Sequence, residues 1–163
     1  MIIYDNCKVC VLAVARCGHT SMTGYFGFEP HTISWGDPTK IWLETKSQRV
    51  LVLRNPIHRA MSAKIFTDST PVPNGHTSED WFRLHMEPYL KHIPKTLPFD
   101  IIPFEKLSYY IPKHVRTIAT RTNYAHHRQV EMTPEMREEL ALYRYFRQYC
   151  NVITPEEWKE LTP

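Results

Sequence analysis

Two short stretches of this chain carry residue types spaced for chemistry. The first, Arg16-Cys17-Gly18-His19-Thr20-Ser21, follows directly on an apolar run at 8–15. Where a strand turns through such residues into a helix, the first backbone N–H groups have no intrahelical partner and the helix dipole adds partial positive charge. Thr20 and Ser21 supply hydroxyls, His19 an imidazole and Arg16 a charged fork. The set suits a compact tetrahedral anion, although an ordinary capped helix after a core strand accounts for it equally well. The second stretch, "RNPIHRAMS", puts Arg54 at the end of the apolar run 49–53 and Ser62 eight residues later. That distance is about two helical turns. A guanidinium at a strand's end and a hydroxyl on the following helix can approach one phosphate from two sides.

These residues need elements to hold them. The run 8–15 is apolar at nearly every position, which predicts a strand covered on both faces, as in a parallel sheet, with a helix from about Thr20. The run 49–53 predicts a second such strand. Asn55 is a good N-cap for the helix after it, and Pro56 falls at the first helical position, where the missing N–H costs nothing. Within that helix Ile57, Ala60, Met61 and Ile65 form an apolar stripe, leaving His58, Arg59 and Ser62 off it. The stretch 68–76 reads as a loop and 78–90 as a helix with Trp81, Phe82, His85, Met86 and Leu90 inward. "FDIIPFEKL", 99–107, reads as a third strand, and Pro103 implies that it lies at an edge or ends early.

Thr133 opens a helix with Met136, Leu140, Tyr143 and Phe146 at helical spacing, and Thr154-Pro155-Glu156-Glu157 fits a capping box for a short last helix. The order of strands and helices predicts one α/β domain over 1–163, a compact three-layer, P-loop-like parallel sheet flanked by helices. Ligands are expected at the carboxyl ends of its strands. A nucleotide kinase or hydrolase fits poorly. Its phosphate loop needs Gly-x4-Gly-Lys-Ser/Thr, whereas the glycine after Gly18 is Gly24 and no lysine follows it.

The two stretches together resemble the two cofactor signatures of sulfotransferases that use 3′-phosphoadenosine 5′-phosphosulfate, particularly the carbohydrate-modifying branch. The family's first loop reads Pro-Lys-x-Gly-x-Thr-Ser. Ala15-Arg16-Cys17-Gly18-His19-Thr20-Ser21 keeps the glycine and both hydroxyls, with Arg16 in the lysine's place and Ala15 in the proline's. The second signature is similar to "VLVLRNPIHRAMSAKIF", with Arg54, Pro56, Arg59, Ser62 and Ala63 in register. "FDIIPFEKL" and "MTPEMREELALYRYFRQYC" resemble the family's later strand and closing helix. The resemblance implies that residues 16–21 hold the 5′-phosphosulfate and that Arg54 and Ser62 hold the 3′-phosphate. It also implies transfer of a sulfuryl group to a hydroxyl of a sugar or small molecule, with no metal required. The alternative within the same fold is a nucleotide-binding module that has lost turnover.

Such transfer rests on in-line positioning and on stabilising charge at the leaving phosphate. Arg16 and the loop amides suit that task, but an arginine stays protonated and does not serve as a proton donor. The acceptor hydroxyl needs a general base. In the resembled family it lies between the two signatures, where this chain has Glu29, His31, Asp37 and Glu44. His31 is favoured because an unperturbed histidine titrates near neutrality and because it falls in the loop read at "FEPHTISWGDP", with His19 as runner-up. A polar stretch, "RTNYAHHRQ" at 121–129, offers Arg121 or Arg128 to close over the cofactor.

Bulk properties narrow the class. A chain 42% hydrophobic and 23% charged is that of a globular protein, and none of its apolar runs approaches the ~20 residues that span a bilayer. A net charge of +3 with scattered Lys and Arg does not make a nucleic-acid surface. No secretory leader is apparent, so a cytoplasmic location is expected. Cys7 and Cys10 form one C-x-x-C pair, but neither a second pair nor a His pair stands at matching spacing. All four cysteines, with Cys17 and Cys150, are expected to be plain core residues.

Overall fold

The computed structural model describes residues 2–26, 32–33, 38–112 and 130–162. Its first strands are β1 (Ile2–Asp5) and β2 (Val9–Ala13), joined by a turn in which Asn6 Oδ1 accepts from the amides of Lys8 and Val9 at 3.0 and 2.8 Å. There follow α1 (His19–Phe26), β3 (Thr32–Ile33), α2 (Pro38–Glu44), β4 (Gln48–Leu53), α3 (Pro56–Ser69) and α4 (Ser78–Met86). The chain closes with β5 (Asp100–Pro103), α5 (Pro134–Tyr149), β6 (Asn151–Val152) and α6 (Pro155–Leu161). Short 3-10 turns occupy Leu90–His92 and Phe104–Tyr109.

The strands form one sheet in the order β3-β1-β2-β4-β5-β6. β2, β4, β5 and β6 run parallel, while β1 is antiparallel to both β2 and β3. The fold is therefore α/β with a mostly parallel sheet, and β1 makes it mixed, a pairing that the apolar runs alone did not announce.

All five residues of β2 are buried. Their alternation explains why: Cys10 and Leu12 join Leu51 and Leu53 in a core with Trp42, Tyr89, Leu90 and Phe146, whereas Val9, Val11 and Ala13 join Val50 and Val52 in a core with Met22, Phe26, Leu107 and Trp158. A strand sandwiched between two apolar layers has no polar face to show. Among the described residues no helix is long and apolar enough to cross a membrane.

The caps fall where their residues predict them. Asn55 accepts from Ile57 N with Pro56 in the first turn, Thr133 accepts from Met136 N, and Thr154 and Glu157 make a reciprocal capping box. Of the two outcomes that Pro103 implies for the third strand, the early end is the one found: β5 stops at Pro103, which has no N–H to extend a ladder, and it lies between β4 and β6. Three expectations are corrected. In α4 the inward residues Trp81, Phe82, His85 and Met86 are only half-buried, and Leu90 is buried in the 3-10 turn instead of on the helix. Cys7 is exposed in the β1–β2 turn and Cys150 half-buried, so only Cys10 and Cys17 are core residues.

The largest correction concerns α3. Its expected apolar stripe is only partly inward: Ile57, Met61 and Ile65 are half-buried, while Arg59, Ala60, Ser62 and Ala63 are buried. Arg59 is buried there because it reaches backbone carbonyls and the Glu139 carboxylate, and Ser62 because it accepts from Arg16.

Candidate functional site

The chain leaving β2 goes to β3 on one side of the sheet, and the chain leaving β4 goes to β5 on the other. In open α/β sheets the crevice where successive connections part is where ligands settle. The carboxyl ends of β2 and β4 meet at that point, and a small cleft opens there. It is lined by Arg16, Gly18, His19, Thr20, Ser21, Arg54, Ser62 and Phe104.

The loop's shape comes from two left-handed residues, Arg16 at φ 62° and Gly18 at φ 82°. Cys17 N donates to Val14 O at 2.9 Å, and the first helical bond of α1 runs from Met22 N to Gly18 O at 2.9 Å. The amides ahead of Met22 thus lie outside the intrahelical ladder, at the positive end of the dipole. Gly18 fits because its neighbours leave no room: an added Cβ would stand 2.6 Å from Leu107 Cδ2 and 3.4 Å from the Phe104 ring.

Charge gathers around this loop. Arg16 donates from Nε and Nη2 to Ser62 Oγ at 3.4 and 3.2 Å, and its guanidinium lies 4.5 Å from the centre of the Phe66 ring. Arg54, 2% exposed, donates from Nη1 to the carbonyl of Arg16, and its guanidinium sits 4.0 Å over the Phe104 ring. Burial, with repulsion from Arg16 and Arg59, lowers the Arg54 pKa to about 10, so it remains a cation at neutral pH. Burial also lowers that of Arg16. His19 is brought down to about 4, first by burial and then by nearby positive charge including Arg16 and His85, which leaves a neutral imidazole 3.4 Å from Thr20 Oγ1.

The structure therefore brings together seven of the eight residues singled out as anion ligands. Cys17 is the exception. Its side chain is fully buried, 3.8 Å from Tyr89 Oη, and Cys17 does not line the cleft. The two stretches, expected as two separated anion sites, join across the Arg16–Ser62 hydrogen bond into a single cleft. Glu44 is exposed at the end of α2, near the amino end of β4, and is not part of the cleft. His31, Glu29, Asp37, Arg121 and Arg128 lie outside the described residues.

Phe104 and Phe66 went unread in the sequence. Phe104 reaches the cleft because β5 ends at Pro103, one residue earlier, and Phe66 lies one helical turn beyond Ser62 on α3. The early end of β5 was the available signal for the first, and the i, i+4 spacing from Ser62 for the second.

Chemically, the cleft combines two permanent cations, a helix N-terminus, three hydroxyls and a neutral imidazole. These are the groups that oxyanion recognition uses. No family model matches this chain, and no curated protein or solved structure matches it significantly.

Proposed function

We propose that this protein binds 3′-phosphoadenosine 5′-phosphosulfate and transfers its sulfuryl group to a hydroxyl of a sugar or small molecule. The observation that carries the reading is the convergence of Arg16, Gly18, Thr20 and Ser21 with Arg54 and Ser62 on one cleft at the carboxyl ends of adjacent parallel strands. A P-loop-like cradle belongs to the same reading. The residues fit the anionic end of such a donor: the guanidiniums match oxyanion geometry bidentately and stay charged at neutral pH.

The bound donor supplies an activated sulfuryl group. Arg16 and the amides of α1's first turn stabilise negative charge on the phosphate that departs, and Arg54 and Ser62 fix the second phosphate and hence the register of the nucleotide. Seating a donor with two anionic groups requires Arg16 to give up its bond to Ser62, which frees both side chains for the ligand. His31 is the proposed general base that takes the acceptor's proton, with His19 as the alternative inside the cleft.

A second reading, a binding module without turnover, is favoured by one feature. Neither guanidinium gives up a proton near neutrality, and His19 with a pKa of about 4 is a weak base until an anion offsets the surrounding positive charge. Transfer of labelled sulfate to a panel of sugars and phenols separates the two. Turnover that is lost in His31→Ala supports the enzyme, and binding of the donor without turnover on any acceptor supports the module. A chain that neither binds nor transfers is neither.

A further inference from the structure

We propose that Arg59, which lies outside the cleft, is a positioning residue for the anion-binding loop, held in turn by Glu139 of α5. This rests on the reading of the cleft as an anion site. Arg59 is 2% exposed and Glu139 3% exposed, the only ion pair among the described residues with both side chains buried. Arg59 Nη1 stands 3.5 Å from Glu139 Oε2, and Nη2 donates to the carbonyls of His85 and Glu87 at 2.9 and 3.0 Å. Glu139 Oε1 accepts from Tyr89 N at 2.9 Å. These contacts tie α3 to α5 and to the end of α4, and a purely structural role needs no more.

The remaining donor goes elsewhere. Arg59 Nε donates to Ala15 O at 3.1 Å, and Arg54 Nη1 donates to the next carbonyl, that of Arg16. A peptide unit is planar, so fixing the carbonyls of residues 15 and 16 fixes the planes on both sides of the Arg16 Cα and therefore both of its soft dihedrals. Arg16 is the residue at φ 62°, a conformation that a non-glycine residue keeps only where its surroundings over-determine it. Two buried guanidiniums from one strand–helix unit supply that determination. They hold the turn that presents Gly18 and the first amides of α1, and they aim the Arg16 side chain across the cleft.

Arg59→Lys keeps the charge but not the fork, and one ammonium on a flexible stem does not reproduce four directed contacts. The expected result for the folded variant is a loss of inorganic phosphate affinity of at least about tenfold, together with a displaced Gly18 amide resonance in the ligand-free protein. Glu139→Gln, which leaves the carbonyl contacts of Arg59 but removes its counter-charge, gives a smaller loss in the same direction and carries the test if Arg59→Lys does not fold. Thr133→Ala, which uncaps the same helix, lowers the melting temperature without altering phosphate affinity or the Gly18 resonance.

Wild-type affinity and an unmoved Gly18 resonance in a folded Arg59→Lys or Glu139→Gln variant overturn the proposal. So does a Thr133→Ala variant whose affinity falls in step with its stability, because that outcome makes the role merely structural. A wild-type chain that binds no phosphate overturns the anion-site reading, and the Gly18 resonance then still reports whether Arg59 shapes the loop.

Discussion

Arg49 and Arg54 stand at opposite ends of β4, and their surroundings are opposite too. Arg49 donates to Trp42 O, Leu43 O and Thr45 O at 3.0, 2.9 and 2.6 Å, where α2 ends with unpaired carbonyls and a negative dipole. Nearby, Asp5 accepts from the hydroxyls of Thr45 and Ser47, and Asp100 accepts from the amides of Gln48 and Asn151. At this end every one of these charges meets a group of the opposite sense. Arg54 instead meets the positive end of α1 and the guanidiniums of Arg16 and Arg59, which join its burial in lowering its pKa. One end of the sheet thus pairs these charges within the fold, whereas the other sets the Arg54 guanidinium beside that of Arg16 in the cleft proposed to take an oxyanion.

The sharpest way to break this contrast is to remove each arginine in turn. Arg54→Ala lowers affinity for 3′-phosphoadenosine 5′-phosphate by at least about 30-fold, since truncating a desolvated charged ligand costs roughly 2–5 kcal/mol. Arg49→Ala leaves affinity unchanged but destabilises the fold by about 1–3 kcal/mol, because it orphans the carbonyls that it caps. Calorimetric titration and urea unfolding read the two effects, and equal losses of affinity would remove the distinction between the two ends.

Gly18→Ala comes next. Its φ of 82° and the 2.6 Å approach of Leu107 predict a cost of about 1–3 kcal/mol on unfolding. An unchanged urea midpoint would mean that the loop does not hold the turn described.

His19 gives a pH signature confined to the cationic end. Its folded pKa of about 4 lies below the ordinary 6.5, so between these values the unfolded chain binds more protons than the folded one. The stability that His19 contributes is fully present above pH ~6.5 and is lost as pH falls toward ~4. His19→Gln flattens that part of the stability profile, and phosphate, by raising the His19 pKa, does the same in the wild type. A profile identical in wild type and variant contradicts the assignment.

The smallest effects sharpen the contrast. Ser62→Ala removes one hydroxyl and weakens nucleotide binding about threefold to tenfold. Thr154→Ala, in the cap of α6, costs about 1 kcal/mol of stability and leaves binding untouched.

Much of the frame was legible because it follows from local rules. Continuous apolar runs gave β2 and β4, Asn55-Pro56 and Thr154-x-x-Glu157 gave helix starts, and the Arg54–Ser62 spacing gave one side of the cleft. The rest depended on partners far along the chain. A buried arginine such as Arg59 looks like a surface residue until Glu139, 80 residues away, supplies its counter-charge. Cys17 read as part of the cradle until the turn at Arg16 and Gly18 sent its side chain into the core. The merging of two expected anion sites into one cleft likewise depends on Arg16 reaching Ser62 across the sheet's carboxyl edge.

Titration of the full wild-type chain with 3′-phosphoadenosine 5′-phosphate tests the central claim most directly. Saturable one-to-one binding at micromolar concentration, competed by inorganic phosphate and abolished by high salt, is the expected result. The absence of heat or saturation at high micromolar nucleotide would contradict the account.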